Sequence, residues 1–155
     1  MTATSELPEL WQWSACDLSA AIRDGSISCG EAVGAAVDWV RAENGRYNAI
    51  VEDLTEPALA KAADHDRELA QNGPLGPLHG VPVTIKVNTD QEGQATTNGL
   101  PALKDLIAPA DAPVVRNLKR AGAIIIGRTN TPEFSFRPTT DNPLHGRTIN
   151  PWDEQ

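Results

Sequence analysis

Hydrophobic residues recur at helical spacing through the first part of the chain. Ser14 and Gly25 have the residue types that begin and end a helix, and the apolar face between them comprises Leu18, Ala21 and Ile22. Ser28 and Glu31 then have the spacing of a capping box, in which each side chain accepts from the other residue's backbone N–H. The second predicted helix carries its apolar residues at Ala32, Val33, Ala36, Val37 and Val40.

A short strand and a third helix are predicted next. Residues 49–51 form a brief apolar run that is typical of a strand. Thr55 is expected to cap the third helix, which tolerates Pro57 in its first turn because the backbone N–H that proline lacks has no partner there. Gly73 is expected to end it.

Strand patterns dominate the second half of the chain. Residues 81–87 alternate, with Val and Ile on one side and Pro82, Thr84 and Lys86 on the other. Pro82 lacks a donor for the sheet ladder, so it is expected at the start of the strand or at a sheet edge. The run Ala-Ile-Ile-Ile at residues 123–126 predicts a fully buried strand.

Two further helix starts complete the pattern. Asp111 is expected to cap a helix with Pro113 in its first turn, and the predicted apolar stripe comprises Val114, Val115 and Leu118. Residues 130–133, Asn-Thr-Pro-Glu, form the second start signal. Strand, helix and strand in this order indicate part of an α/β sheet with helices on its faces. Residues 88–122 are long for one crossover, so part of that connection must be loop or hairpin.

Composition narrows the possible functions. The chain carries 13 Lys and Arg against 21 Asp and Glu, a net charge of −8 that resides in residues 1–77. An acidic chain repels phosphate backbones, so nucleic acid is not an expected partner. Cys16 and Cys29 lack metal-binding or redox spacing and indicate reduced thiols. With no apolar run of membrane length and no signal peptide pattern, we expect a cytoplasmic protein without a membrane partner.

Lys86 interrupts an apolar strand, and residue patterns alone leave two interpretations open. An exposed strand-edge lysine is the ordinary one, because charged groups are usually solvated. A lysine in a dry pocket can instead serve as a general base, which requires its pKa to fall from about 10.4 to about 7.5 at a cost of about 4 kcal/mol. An imine with an aldehyde cofactor is disfavoured, since no phosphate-binding glycine loop accompanies the lysine.

The histidines give little indication of a site. Asp64, His65 and Asp66 are adjacent on a helix and point in different directions, so we expect a solvated face and no metal ion. His79 and His145 are expected in loops, and the three histidines lack ligand spacing. We therefore predict neither a metal nor a cofactor.

Three ordered segments resemble the amidase signature family, whose members hydrolyse amides with a serine–serine–lysine triad. They are GPLHGVPVTIKVN at 76–88, ADAPVVRNLKRAGAIIIGRTNTPEF at 110–134 and TTDNPLHGRTINPWD at 139–153. In and beside these segments, residues 87–99 and 134–142 are most similar to general amidases and indoleacetamide-hydrolase-like enzymes. The resemblance implies a three-layer α/β/α fold with a mixed central sheet, of which residues 1–72 supply helices and residues 73–155 the lysine-bearing strands and loops.

The same resemblance implies site residues. Lys86 matches the catalytic lysine, which deprotonates a bridging serine in a cis peptide that in turn activates a nucleophilic serine. Ser135 and Phe136 match positions that approach the substrate channel, although a capped turn and a core aromatic remain equally open interpretations. Val87 and Asn88 depart from the aspartate that many members place after the lysine.

The family's glycine–serine loop, which follows the NPWD segment, is not found before Gln155. Both serines are therefore absent, and we expect the chain alone to be inactive, with a small amide as the substrate of the complete enzyme. A non-catalytic binding or structural subunit is the alternative. Either case is compatible with a homodimer or with association with a complementary chain, because an incomplete sheet exposes an edge.

Overall fold

The mixed sheet and its helices were established from a computed structural model that describes residues 9–153. Within those residues the helices are α1 (Ala15–Asp24), α2 (Cys29–Tyr47), α3 (Thr55–Asn72) and α4 (Pro113–Arg120). The strands are β1 (Ile50–Asp53), β2 (Pro82–Lys86) and β3 (Ile124–Thr129). The first and last residues of the predicted division, 1–8 and 154–155, lie outside the described residues.

The three strands form one mixed sheet in the order β1-β3-β2. β3 runs parallel to β2 and antiparallel to β1, so it lies at the centre of the described sheet. Pro82 is the first residue of β2, an edge strand, as the missing ladder donor predicts. The α/β prediction is confirmed, and the long connection contains an isolated antiparallel bridge between Ala95 and Ile107.

The main core lies between the helices α1 to α3 and one side of the sheet. Its buried members come from the three helices, from β3 and from the residue before β2: Leu18, Ile22, Cys29, Ala32, Val33, Val37, Ala58, Ala62, Val81, Ile124 and Ile126. α2 and α3 pack against each other, which explains why small alanine and valine side chains dominate their contact faces. No helix within residues 9–153 is long and apolar enough to cross a membrane.

Helix ends with local signals form as the sequence predicts. Ser14 Oγ accepts from the backbone N–H of Asp17 at 3.1 Å, and Gly25 ends α1 with a φ of +79°. The capping box at α2 is complete. Ser28 Oγ accepts from Glu31 N at 3.0 Å, and Glu31 Oε2 accepts from Ser28 N at 2.8 Å. These caps satisfy backbone groups that a helix cannot satisfy internally.

Two predicted caps are wrong. Thr55 is the first residue of α3, and its backbone N–H donates to Asp53 Oδ1 at 2.8 Å. Asp111 does not cap α4, because its carboxylate instead accepts from Lys119 Nζ at 2.7 and 2.8 Å and from Glu92 N at 2.9 Å. A charged partner binds a carboxylate more strongly than a free helix N–H does, so Asp111 ties the long connection to α4.

Two predicted apolar runs are less buried than expected. In α4 only Val115 is buried, whereas Val114 is 54% exposed, so the contact face of this short helix is narrower than its apolar stripe. In β3, Ile125 is half-buried between the buried Ile124 and Ile126. The side of the sheet that carries Ile125 is therefore incompletely covered by the described residues.

His65 is buried, which contradicts the prediction of a solvated helix face. Its ring stacks on that of His79 with centroids 4.8 Å apart. His79 Nδ1 accepts from Leu75 N at 3.1 Å, so the proton lies on Nε2, which donates to the His65 carbonyl at 3.1 Å. Asp66 accepts from the backbone N–H groups of Cys29 and Gly30, at 2.7 and 3.1 Å, at the positive N-terminal end of α2. His65 and Asp66 thus attach α3 to the loop before β2 and to the start of α2.

Gly80 provides a test of the packing between its loop and α2. Its φ is +78°, and a Cβ there would lie 2.4 Å from Cys29 Sγ. Gly25 has nearly the same φ, +79°, with nothing within 4 Å. We expect Gly25→Ala to cost about 1–2 kcal/mol for the left-handed backbone, and Gly80→Ala to cost about 1–3 kcal/mol more for overpacking. Urea unfolding of both variants measures the difference, and equal losses would contradict the close approach.

His65 predicts a pH dependence of stability. Burial, followed by the neighbouring His79, lowers the pKa of His65 below its usual 6.5. The unfolded chain then binds more protons than the native chain as the pH falls through about 6.5, so stability is present above that pH and is lost below it. The slope for one group is at most about 1.4 kcal/mol per pH unit.

Urea midpoints at pH 7.5 and 5.5 measure this loss, and His65→Gln is expected to reduce it. Burial also lowers the pKa of His145, so a smaller dependence of the same sign remains in the variant. Parallel pH dependences for the original chain and His65→Gln would show that His65 does not contribute.

Candidate active site

Lys86 is the last residue of β2 and lies beside Thr129 of β3. Its side chain is half-buried, and Nζ donates to Ser135 Oγ at 3.1 Å. The chain turns directly after the strand, because Thr89 N donates to the Lys86 carbonyl at 3.0 Å. The strand end thus directs the amine toward a turn that lies 49 residues further along the sequence.

Ser135 meets three side chains at one hydroxyl oxygen. Besides Lys86, Asn88 Nδ2 donates to Ser135 Oγ at 2.9 Å, and Thr131 Oγ1 lies 2.9 Å from it. The structure thus brings Lys86 and Ser135 together, and Asn88, which departs from part of the family, joins them. Phe136 lies alongside with 86% of its surface exposed, so the core interpretation of this aromatic residue is wrong.

The turn that holds Ser135 is not the helix that residues 130–133 predict. Only a 3₁₀ turn forms over Glu133–Ser135, in which Phe134 and Ser135 have φ values of +48° and +60°. Asn130 does not cap it, because its Oδ1 accepts from Thr131 N at 2.9 Å and from Asn142 Nδ2 at 2.7 Å. The start signal fails because its polar side chains have these other partners.

Buried asparagines connect the turn to the rest of the chain. Asn142 Nδ2 also donates to the Thr131 carbonyl at 2.9 Å, and Asn130 Nδ2 donates to Thr148 Oγ1 at 3.0 Å. Thr148 Oγ1 donates in turn to the carbonyl of Asn48, the left-handed residue that ends α2, at 2.7 Å. From the sequence, Asn130, Asn142 and Thr148 were not identified as part of the site. The only signal for them is the presence of asparagines in a segment without hydrophobic periodicity.

Arg128 is a second residue that sequence reasoning missed. Its side chain is fully buried in β3, and Nη1 donates to Glu52 Oε2 at 2.7 Å and to the Ala95 carbonyl at 2.5 Å. Nη2 donates to the Thr89 carbonyl at 3.0 Å. One guanidinium therefore joins two strands to the loop that follows Lys86. Its signal is an arginine paired across the sheet with Glu52, visible only once β1 and β3 are known to be neighbours.

Within residues 9–153, no group of three His, Cys, Asp or Glu side chains lies together as a set of metal ligands. His145 contacts Thr97 Oγ1 through Nε2 at 3.2 Å, and burial lowers its pKa. The site around Lys86 is instead made of one amine, two hydroxyls and an amide, beside exposed aromatic rings. Such groups can move a proton and orient a small polar substrate without a metal ligand set.

Comparisons with known proteins identify the family to which the sequence and the fold are similar. A family model described as Amidase matches residues 31–155. The indoleacetamide hydrolase of Bradyrhizobium diazoefficiens is 63% identical over 144 residues, which are 93% of this chain and 28% of that protein. The acylamidase of Rhodococcus erythropolis is 41% identical over 139 residues, 90% of this chain and 29% of that one.

A solved structure supports the same relationship. A bacterial aryl acylamidase of the amidase signature enzymes superposes with a TM-score of 0.87 at 31% identity, covering 96% of this chain and 31% of that chain. The present chain therefore spans less than a third of the length of these relatives.

Arg128 provides a test of the scaffold around Lys86. Arg128→Met leaves Glu52 without its buried partner, and breaking a buried pair costs about 3–5 kcal/mol. We expect that loss in the free energy of unfolding, together with faster amide exchange around residues 89–96. Arg116→Met, at an exposed position of α4, is the control, with an expected change within about 0.5 kcal/mol. Equal stability of the two variants would contradict the assignment.

Proposed function

The chain belongs to the amidase signature family, and we propose that it supplies the catalytic lysine for hydrolysis of a carboxamide C–N bond. The observation that carries the proposal is the half-buried amine of Lys86, which lies at the end of β2 and 3.1 Å from a side-chain hydroxyl. Family membership supports amide hydrolysis, and the half-buried position of Lys86 at the end of a strand supports it as the group that exchanges a proton with the bridging serine.

The proposed mechanism is a relayed general base. A neutral Lys86 amine accepts a proton from a bridging serine, which accepts one from the nucleophilic serine as its oxygen attacks the amide carbonyl. The C–N bond breaks, the proton passes back to the leaving nitrogen, and an acyl ester remains. Water then hydrolyses the ester and restores the serine. Neither serine is assigned within the 155 residues, which lack the family's glycine–serine loop.

For the substrate we propose a linear carboxamide with an aromatic group. Phe134 and Phe136 flank Ser135, with ring centroids 6.0 Å apart and both rings at least half exposed. Exposed aromatic rings next to a polar reacting centre suit a flat apolar substituent, because such pairs bury a large area when covered. The name of the Bradyrhizobium relative, an indoleacetamide hydrolase, is consistent with that chemistry. Phe136 is the proposed contact with the substrate, and Ser135 lies on the same side.

Association with a second copy or a complementary chain stays a prediction, as does a cytoplasmic location. The outer edge of β2 pairs with no strand among residues 9–153, which supports pairing with a further strand.

A chimera tests the role of Lys86. Residues 9–153 replace the corresponding segment of the Bradyrhizobium indoleacetamide hydrolase, and release of ammonia from indole-3-acetamide is measured. We expect an active chimera in which Lys86→Met lowers kcat by about 10²–10⁴-fold, the usual contribution of a general base. Lys104→Met, at an exposed position, is the matched control and should leave kcat unchanged.

The 155-residue chain alone should release no ammonia in the same assay, since it lacks the glycine–serine loop that would provide the nucleophile. Activity of the isolated chain would contradict the proposed relay. Full activity of the Lys86→Met chimera would contradict the assignment of the lysine.

A further inference from the structure

We propose that Ser135 acts on Lys86 and not on the substrate: it is a positioning residue that fixes the amine at the end of β2. The proposal rests on the proposed function for its catalytic meaning, but its geometry is independent of it. Three features of the turn carry the argument: the direction of its hydrogen bonds, its backbone conformation, and its attachment to buried residues.

The direction of the hydrogen bonds follows from counting protons. Thr131 has one hydroxyl proton, and it donates to the Pro132 carbonyl at 3.0 Å. In the 2.9 Å contact between the two hydroxyls, Thr131 must therefore accept and Ser135 must donate. The Asn88 amide oxygen accepts from Thr89 at 3.3 Å, which leaves its amide nitrogen to donate to Ser135.

Ser135 Oγ is saturated by these partners. Its proton goes to Thr131, and its two lone pairs accept from Asn88 and Lys86. The only hydroxyl proton of Ser135 is already used, so none remains to donate to a substrate carbonyl. That proton is also not directed at the Lys86 amine, as it would be in a serine nucleophile paired with its base. What Ser135 offers is a fixed acceptor for one Lys86 N–H, which leaves the rest of the amine free for another partner.

The backbone of the turn has an unusual conformation at the residue that accepts from Lys86. Phe134 and Ser135 both have left-handed φ values, +48° and +60°, which residues with a side chain seldom adopt. Such conformations persist only where surrounding contacts enforce them, and they concentrate at functional sites. Here Phe134 N donates to the Asn98 carbonyl at 3.1 Å, and fully buried Thr131 lies at the base of the turn.

The test uses the 155-residue chain and reads the amine directly. Trace acetylation with an N-hydroxysuccinimidyl acetate reagent is followed by peptide mass spectrometry, and Lys86 labelling is expressed relative to exposed Lys61 and Lys104. Ser135→Ala removes the acceptor that holds the amine, so Lys86 should label about two- to fivefold faster, the range for an exposed charged contact. Ser26→Ala, which removes a serine hydroxyl that donates to Asp24 Oδ1, is the matched control.

Two more substitutions separate positioning from a structural role of the turn. Ser135→Gly suits the left-handed backbone better than serine does, so it preserves the turn while removing the hydroxyl. It should label at Lys86 as fast as Ser135→Ala. Ser135→Asn tolerates the same backbone and brings an amide oxygen as acceptor, so it should restore slow labelling. Unchanged Lys86 labelling in both Ser135→Ala and Ser135→Gly would overturn the proposal.

Thr131→Val tests the direction of the hydrogen bonds. It removes the acceptor of the Ser135 proton and should speed Lys86 labelling, but should have no further effect when Ser135 is already alanine. Additive effects of the two substitutions would count against a path through Ser135.

In the chimera described above, Ser135→Ala should lower kcat and leave KM within about twofold, because uniform substrate binding is not touched. A raised KM with unchanged kcat would overturn the proposal in favour of direct substrate contact. Failure of Lys86→Met to affect the chimera would refute the catalytic lysine while leaving the labelling result intact, so the two failures are distinguishable.

Discussion

The buried guanidinium of Arg128 is the constraint on which the surroundings of Lys86 depend. A charge without water must be compensated by several well-placed partners, since leaving it unpaired costs far more than its pairing gains. Arg128 on β3 finds a carboxylate on β1 and two carbonyls on the loop after β2, so neither β1 nor this loop can move away from β3 without uncovering the charge. Lys86 lies on the neighbouring strand, and its position follows from theirs.

Hydrophobic and polar residues have separate tasks in this chain. The apolar faces of α1, α2 and α3 build the core against one side of the sheet, and they set where the strands lie. The precise shape beside Lys86 comes from polar side chains, chiefly Asn130, Thr131 and Asn142, whose partners are distant in sequence. Because buried polar groups must be satisfied, such a network specifies one arrangement of loops that apolar packing alone would leave open.

This separation explains what the sequence could predict. The first two helix starts were predictable because the side chains of Ser14 and Ser28 bind backbone N–H groups only three residues further along the chain. Asp111 and Asn130 carry the same type of signal and mislead, because stronger or buried partners from elsewhere take their side chains. Arg128 could not be found, since its meaning depends on a strand pairing that local patterns do not contain. The role proposed for Lys86 rests on the ordered motifs and not on its spacing.

The contacts of Lys86 show how a long side chain at the end of a strand can be held in one orientation. A lysine at the end of an edge strand has no reason of its own to be fixed, because its long side chain gains rotational entropy in water. Ser135 offsets that tendency with an acceptor presented by a strained turn, and the turn is itself held by the buried network. All of these contacts lie between residues of this chain. The orientation of the amine therefore depends on loop residues that contact it or its acceptor, namely Asn88, Thr131 and Ser135. On the proposal made above, these residues change how the lysine reacts without touching a substrate.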